Sequence, residues 1–173
     1  MSTVSVKFKV RLALLVMILW ITGSLWLLWS YSTPEFGTFD PEQRLPRLSQ
    51  HLASKPAWLG AASTPSQLVL ITQDTCSCRQ DAMSHVTRLQ QQSQVELTVL
   101  DLSALPAELQ QHIPATPLLL WWQGSRLSYA GPAATGPWCS FDTDIVLPLL
   151  QGTMQLPGVW LNGQTSSCRC LTR

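Results

Sequence analysis

The sequence predicts an α/β domain with a central mixed β-sheet flanked by helices, after one N-terminal transmembrane helix. Three observations predict this class: an uncharged apolar run near the N-terminus, a strand-helix-strand pattern over residues 67–101, and a hairpin pattern over residues 118–129. A strand-helix-strand unit pairs its strands in parallel, whereas a hairpin pairs them antiparallel. Together they predict a mixed sheet.

The apolar run Leu12–Trp29 contains no charged residue. As an α-helix it spans roughly 27 Å, close to the hydrocarbon core of a bilayer at about 30 Å. The alternative is a cleaved signal peptide, but Ser30–Pro34 lacks the small-residue pattern of a cleavage site. We therefore predict a membrane anchor over residues 12–30, preceded by a short N-terminus over residues 1–11.

The charges that flank the anchor predict its orientation. Three basic residues precede it, and the first charges that follow are acidic: Lys7, Lys9 and Arg11, then Glu35, Asp40 and Glu42. Positive residues are retained on the cytoplasmic side. We therefore predict a cytoplasmic N-terminus and a C-terminal domain that faces outward.

About 140 residues follow the anchor, which suits one domain with its own core. The formal net charge is +1, so the sequence has neither the basic surface expected of a nucleic-acid-binding protein nor an acidic tail. It also has no phosphate-binding loop and no interpretable Ser/His/Asp set or carboxylate pair, so hydrolase and nucleotide chemistry have no support. We predict no cofactor.

The first elements of the domain follow a proline-rich tether and entry segment over residues 31–65. Within it, Asp40–Leu48 is predicted to be a short helix or turn, and Trp58-Leu59 is predicted to pack it on the domain. The short apolar, β-branched run Gln67–Thr72 predicts a buried strand. Apolar residues then recur at spacings of four and three up to Gln92, which predicts an amphipathic helix. Val95–Asp101 alternates between polar and apolar residues before turning apolar, which predicts the second strand.

The second half of the domain begins with Ser103–His112, predicted to be a short helix capped by Ser103. Leu118–Trp122 and Ser125–Tyr129 are apolar runs around a turn, which predicts an antiparallel hairpin. Asp142–Leu150 is predicted to be the last helix, because its acidic start suits the helix dipole. The Gly/Ser/Thr-rich residues 153–173 are predicted to form an extension beyond the core.

The five cysteines form two Cys-x-Cys segments and one single residue, Cys139. Cys76 follows the first predicted strand where a helix begins, and a helix N-terminus favours thiolate over thiol. Cys76 is therefore the predicted nucleophile, with Cys78 as the resolving partner. The alternative is that both form static disulfides, as is common in oxidising compartments. Cys139 is predicted to be the odd cysteine, a buried inert thiol.

The C-terminal pair, Cys168 and Cys170, leaves two arrangements open. The pair can act as a second redox pair that exchanges with Cys76 and Cys78, or it can bridge to them and fasten the extension to the domain. About fifteen two-disulfide patterns are compatible with five cysteines. The sequence does not choose among them.

Metal binding is the second class of hypothesis for these four cysteines. Cys76, Cys78, Cys168 and Cys170 could present four thiolates to Cu(I) or Zn(II), both of which accept soft sulfur ligands. Structural zinc sites usually have two to four residues between paired ligands, however. One intervening residue is unusual for such a site.

The element order, with cysteines at the first strand-to-helix junction and Thr116-Pro117 before the hairpin, resembles the thioredoxin fold. The resemblance covers residues 67–151, so we place the thioredoxin-like domain at residues 66–152. It implies that Pro117, with Pro114 as the alternative, is a cis-proline that faces the cysteines and shapes a substrate groove. It also implies that the Thr116 backbone pairs with an extended substrate segment.

With its anchor and two Cys-x-Cys segments, the chain resembles a group of uncharacterised, membrane-anchored thioredoxin-like proteins of Gram-negative bacteria. This resemblance implies a single-pass protein of the inner membrane whose domain lies in the periplasm. The implied partners are protein thiols or disulfides at the outer face of that membrane.

One departure from the thioredoxin pattern bears on the chemistry. Thioredoxin-like sites have Cys-x-x-Cys, whereas here Arg79 stands where the second cysteine is expected. Residues two apart do not face each other on a helix, so a Cys76–Cys78 bond needs an extended or turned chain and is expected to be easy to reduce. We predict thiol–disulfide exchange of the oxidant or isomerase type. The alternative is a noncatalytic domain that binds a protein or a soft metal.

Overall fold

The N-terminal part of the chain is a single long helix. The computed structural model describes residues 3–32, 36–54, 56, 59, 65–135 and 145–172, and the chain divides into two compact units, Met1–Pro34 and Glu35–Arg173. Helix α1 spans Thr3–Ser32. Its stretch Phe8–Ser30 is 23 residues long with a mean hydropathy of 2.2, long and apolar enough to cross a membrane. The prediction of one N-terminal apolar helix is confirmed.

The second unit is a mixed α/β domain. In chain order its elements are β1 (Phe36–Thr38), α2 (Leu45–His51), β2 (Ser66–Thr72), α3 (Arg79–Ser93), β3 (Glu96–Asp101), α4 (Ala107–Gln110), β4 (Ala115–Thr116), β5 (Leu118–Gln123), β6 (Arg126–Pro132), α5 (Val146–Leu150), β7 (Trp160–Leu161), β8 (Ser166–Cys168) and β9 (Cys170–Leu171). Five of the strands form the central sheet in the order β3-β2-β5-β6-β7. The β2–β3 and β6–β7 pairs are parallel, and the two pairs between them are antiparallel. The predicted mixed sheet is confirmed.

Side chains that alternate along the strands build a core on each face of the sheet. On β2, Val69 and Ile71 pack on the face covered by α2, whereas Leu68 and Leu70 pack on the face covered by α3 and α5. The adjacent tryptophans of β5 follow the same rule, since Trp122 belongs to the first core and Trp121 to the second. Both faces of the sheet are therefore covered.

The predicted tether and entry segment contributes to the first core, and helix α2 overlaps the short helix or turn predicted at Asp40–Leu48. Phe39, Leu45 and Leu48 are each at most 1% exposed. The Asp40 carboxylate stabilises the start of helix α2, because it accepts hydrogen bonds of 2.8 Å from the backbone N–H groups of Arg44 and Leu45. A proline in the first turn of α2 does not disrupt the helix, since that turn needs no N–H donor at this position. Trp58, in the same segment, lies outside the described residues.

The predicted helix Ser103–His112 is divided into a 3-10 turn at Leu102–Ala104 and the short helix α4. Pro106 causes the break, because the residue before a proline is driven to an extended conformation. The predicted cap is also corrected. Asp101 caps the turn by accepting hydrogen bonds from the Ser103 backbone N–H at 2.9 Å and its hydroxyl at 2.6 Å.

The C-terminal extension, residues 153–173, pairs with the domain through three short strands. Strand β7 joins the edge of the central sheet beside β6. Strand β8 pairs antiparallel with β1, and β9 pairs antiparallel with β4. These strands have two or three residues each, too few for a hydropathy period to reveal. The predicted start of the last helix, residues 142–144, lies outside the described residues.

Candidate functional site: a disulfide beside a buried thiol

The first Cys-x-Cys segment forms the turn between β2 and α3. The Cys76 N–H donates to Gln73 O at 3.0 Å, and the Arg79 N–H donates to Cys76 O at 3.1 Å. This turn makes Cys78 the N-cap residue of α3, with no side-chain hydrogen bond to the first-turn amides. The helix N-terminus therefore lies at Cys78 rather than at the predicted nucleophile, Cys76.

A disulfide joins the first Cys-x-Cys segment to the second. Cys76 is bonded to Cys170, 94 residues later, with an S–S distance of 2.10 Å and a Cα–Cα distance of 5.7 Å. A bond between Cys76 and Cys78 is therefore not formed, and neither is one between Cys168 and Cys170. The backbone explains this result, because β9 places Cys170 opposite Thr116. The structure has the cross-bridge between segments that the sequence left open.

The sulfur of Cys78 completes a cluster of three. Cys78 has a buried thiol, and the Sγ atoms of Cys76, Cys78 and Cys170 all lie within 4.8 Å of one another. The Ser77 hydroxyl oxygen is 3.9 Å from Cys78 Sγ. A thiol this close to a disulfide is within reach of exchange once the sulfurs align.

Thr116 and Pro117 border this cluster. The Thr116–Pro117 peptide bond is cis, and Cys76 Sγ lies 3.6 Å from Thr116 O. A disulfide sulfur has no hydrogen to donate, so this distance describes a contact that becomes a hydrogen bond only after reduction. Cys78, Pro117 and Cys168 share the lining of a small pocket. Pro114, the alternative to Pro117, instead accepts a backbone hydrogen bond from the C-terminal segment.

The two arginines of the Cys-x-Cys segments have different surroundings. Arg79 forms an ion pair of 2.6 Å with Asp74, and both side chains are exposed. This pairing offsets the positive potential that Arg79 alone would give the cysteines. Arg169 packs over Gly37, and no described residue accepts a hydrogen bond from its buried Nε and Nη1 atoms. Burial lowers the pKa of Arg169.

The sulfur cluster bears on the metal hypothesis. Among the described residues, it contains Cys76, Cys78 and Cys170 but not Cys168, which is disulfide-bonded itself. A metal needs deprotonated thiolates as ligands, so the predicted set of four thiolates is not assembled in this oxidised state. Cys139 lies outside the described residues.

Cys170 is the site residue whose bonding partner the sequence did not determine. Its position depends on pairing between β9 and β4, which are two residues long and are separated by most of the domain's second half. The spacing of the cysteines was the only sequence signal for this contact, and it allowed several pairings.

Comparison with known proteins gives one relationship. No curated protein and no solved structure matches this chain. Residues 46–172, which include both Cys-x-Cys segments and every strand of the central sheet, match the family described as Domain of unknown function (DUF6436). This match covers well over half of the sequence, and the chain therefore belongs to the DUF6436 family.

Proposed function

We propose that this protein is a membrane-anchored, thioredoxin-like protein that exchanges thiols and disulfides with other proteins. One observation carries the proposal: the Cys78 thiol lies within 4.8 Å of both sulfurs of the Cys76–Cys170 disulfide. Exchange requires a thiolate and a disulfide in contact. This site holds both at the start of a 15-residue helix, where a thiolate is favoured.

The arrangement of the sheet supports the thioredoxin-like assignment. A strand-helix-strand unit supplies the parallel pair β2–β3, the hairpin β5–β6 continues the sheet, and α5 follows the hairpin. The cysteines follow β2, and Thr116-Pro117 leads into β5 beside them. This is the element order on which the resemblance to thioredoxin rests.

The proposed reaction begins in the reduced protein. The Cys76 thiolate attacks a disulfide of the partner, so that the partner's S–S bond breaks, a Cys76–partner disulfide forms, and the other partner sulfur leaves as a thiolate. The Cys78 thiolate then attacks Cys76 Sγ and releases the second partner sulfur. The protein loses two electrons and the partner gains them. The reverse sequence oxidises a partner dithiol.

Cys170 is a second resolving residue in this scheme. The observed Cys76–Cys170 bond is the product expected if Cys170, rather than Cys78, displaces the partner from Cys76. The protein therefore has two thiols that can compete to end the mixed disulfide. This is why a trapping experiment must remove both.

The proposed location is the inner membrane, with the domain in the periplasm. Helix α1 is long and apolar enough to act as the anchor, and the basic residues before it favour a cytoplasmic N-terminus. Disulfides persist in the oxidising compartment outside the cytoplasm. The proposed partners are therefore exported proteins near the membrane surface.

The test is to trap a partner on Cys76 in cells that express the full chain. In the Cys78→Ser, Cys170→Ser double variant, Cys76 has no resolving thiol nearby, so mixed disulfides should accumulate as reducible, higher-mass bands after acid quenching and alkylation. The matched control adds Cys76→Ser to the double variant and should abolish those bands. If the double variant and this control give the same bands, Cys76 does not perform the exchange.

A noncatalytic binding domain is the second candidate, and the burial of both cysteines of the first segment favours it. Cys76 and Cys78 are each only 5% exposed, as is common for static disulfides and inert thiols. The rate at which dithiothreitol reduces the native protein separates the candidates. A static bond should resist until the domain unfolds, whereas an exchanging bond should be reduced in the folded state. Binding of Cu(I) or Zn(II) by the reduced protein would instead support a soft-metal partner.

A further inference from the structure

The C-terminal segment at residues 169–172, here called the tail, lies along strand β4 beside the sulfur cluster. Its strand β9 pairs antiparallel with β4, with Cys170 opposite Thr116 and Leu171 opposite Ala115. Cys170 is also bonded to Cys76. The tail thus combines backbone pairing at Thr116 with a disulfide to Cys76, the two contacts that a peptide substrate of this site would make.

The tail is held beyond the disulfide by its last described residue. The Thr172 N–H donates to Pro114 O at 3.1 Å, and its hydroxyl donates to Ile113 O. The Arg44 guanidinium donates to the backbone oxygen and to the hydroxyl oxygen of Thr172, at 3.4 Å each. These contacts hold the strand in register without help from the disulfide.

The tail is partly exposed, since Leu171 faces solvent while Thr172 is buried and Cys170 is half-buried. Leu171 is 49% exposed, and Leu171 and Thr172 line a cleft of about 570 Å³ together with Gln73 and Gln110. Strand β9 has no strand partner other than β4 among the described residues. The tail can therefore leave β4 while the central sheet stays intact.

We propose that the tail is an internal substrate that masks the site, and that external substrates are extended peptide segments with a cysteine opposite Thr116. This inference rests on the proposed function. An exposed strand edge binds such segments through main-chain hydrogen bonds. Here the chain's own C-terminus fills that edge, at the high effective concentration of a tethered segment.

Unmasking requires no external oxidant or reductant. The Cys78 thiolate attacks Cys76 Sγ, so that the Cys76–Cys170 bond breaks, a Cys76–Cys78 bond forms, and Cys170 leaves as a thiolate. Cys170 then takes up a proton in place of the one that Cys78 lost, and the number of disulfides is unchanged. Residues 169–172 are afterwards held on β4 only by noncovalent contacts, while the disulfide of Cys168 still fastens the residue before them. An external segment can then displace them from β4.

The test uses a peptide with the sequence of residues 165–172, in which Ser replaces Cys168 and the remaining cysteine carries a coloured aryl thiol as a mixed disulfide. Cys76 of the reduced, full-length protein in detergent attacks the peptide sulfur and releases the coloured thiol, which gives the rate. Mass spectrometry then locates the peptide on the Cys78→Ser, Cys170→Ser double variant, in which neither resolving thiol can release it. A peptide with the same residues in reverse order is the matched probe.

Loosening the tail should speed the reaction. Thr172→Ala removes the hydroxyl contacts and should raise the rate about fivefold, the factor expected for losing one net hydrogen bond of about 1 kcal/mol. Thr172→Pro also removes the N–H donated to Pro114 and should raise it further. Thr153→Ala is the matched control, because it removes a similar hydroxyl-to-carbonyl bond of 3.0 Å at an exposed turn.

The outcomes separate this inference from the proposed function. Equal, measurable rates for the wild type and both Thr172 variants overturn the masking but leave exchange at Cys76 intact. Equal rates for the forward and reversed peptides overturn the strand-pairing substrate class. If no protein releases the coloured thiol, and trapping on Cys76 also fails, the proposed function itself falls.

Discussion

The two Cys-x-Cys segments have the same spacing but different backbones. Cys76 and Cys78 lie in a turn that opens a helix, and both are buried. Cys168 and Cys170 lie on two short strands in two different two-stranded sheets, and both are half-buried. The turn brings both of its sulfurs into one cluster, whereas the strands bring only Cys170 there. Backbone conformation, rather than cysteine spacing, decides which sulfurs meet.

This difference suggests a division of roles. The first segment holds a thiol and half of a disulfide on the rigid junction of β2 and α3. The second supplies the other half of the disulfide on a strand whose one partner strand, within the part of the chain that the structure describes, is β4. This comparison predicts that substitutions in the second segment change how tightly the tail is bound to the domain. Substitutions in the first segment should instead change the rate of thiol–disulfide exchange.

The largest expected effect comes from removing the bond between the segments. Cys170→Ser should lower the free energy of unfolding of the oxidised protein by about 4 to 5 kcal/mol, because a cross-link between residues 94 positions apart restricts the unfolded chain. Urea denaturation of the full chain in detergent measures it. Cys78→Ser is the control and should cost less than about 1 kcal/mol, since Cys78 is outside the disulfide. Equal losses would remove the distinction between the segments.

Substitution of Arg169 and of Arg79 should have smaller and different effects on the free energy of unfolding. Arg169→Met should leave the free energy of unfolding unchanged or raise it by about 1 kcal/mol, because it removes a partly buried charge whose Nε and Nη1 have no acceptor among the described residues. Arg79→Met should lower it by at most about 0.5 kcal/mol, since its ion pair with Asp74 is exposed. Thermal denaturation of both variants gives the comparison. A large decrease in stability for Arg169→Met would show that the guanidinium of Arg169 makes stabilising contacts after all.

The smallest effect should be a pH dependence on the tail side of the domain. The His112 ring stacks on His51 at 4.6 Å and precedes Ile113, whose carbonyl accepts the Thr172 hydroxyl. Partial burial and the nearby positive groups His51, Arg47 and Arg44 lower the pKa of His112 below 6.5. The unfolded chain therefore binds a proton more readily, so stability should fall as the pH drops below about 6.5.

His112→Gln is the variant that tests this dependence. It removes the titrating group, so the decline in melting temperature between pH about 7 and about 5 should become shallower than in the wild type. His85→Gln is not a suitable control because His85 is buried in the domain. If the melting temperature of His112→Gln declines with pH as steeply as that of the wild type, groups other than His112 cause the acid sensitivity.

Local elements of the fold were predictable because each has a repeating pattern of its own. The apolar run of β2, the spacing of four and three in α3 and the hairpin β5–β6 all appeared within a few residues of their observed bounds. Helix α2 overlaps the short helix or turn predicted at Asp40–Leu48 but begins only at Leu45 and ends at His51, and Pro46 lies in its first turn. The predicted helix Ser103–His112 is divided at Pro106, and its first turn is capped by Asp101 rather than by Ser103.

The sequence by itself determined the apolar N-terminal helix, the mixed α/β class and the location of the first cysteines between a strand and a helix. These features follow from composition and short-range periodicity, which a chain carries without its fold. Only the tertiary structure decided that Cys76 bonds to Cys170 and that Cys78 lies beside that bond. Those contacts depend on two-residue strands that pair across the domain. Their backbone hydrogen bonds use groups that nearly every residue has, so the side-chain sequence does not indicate which strands pair.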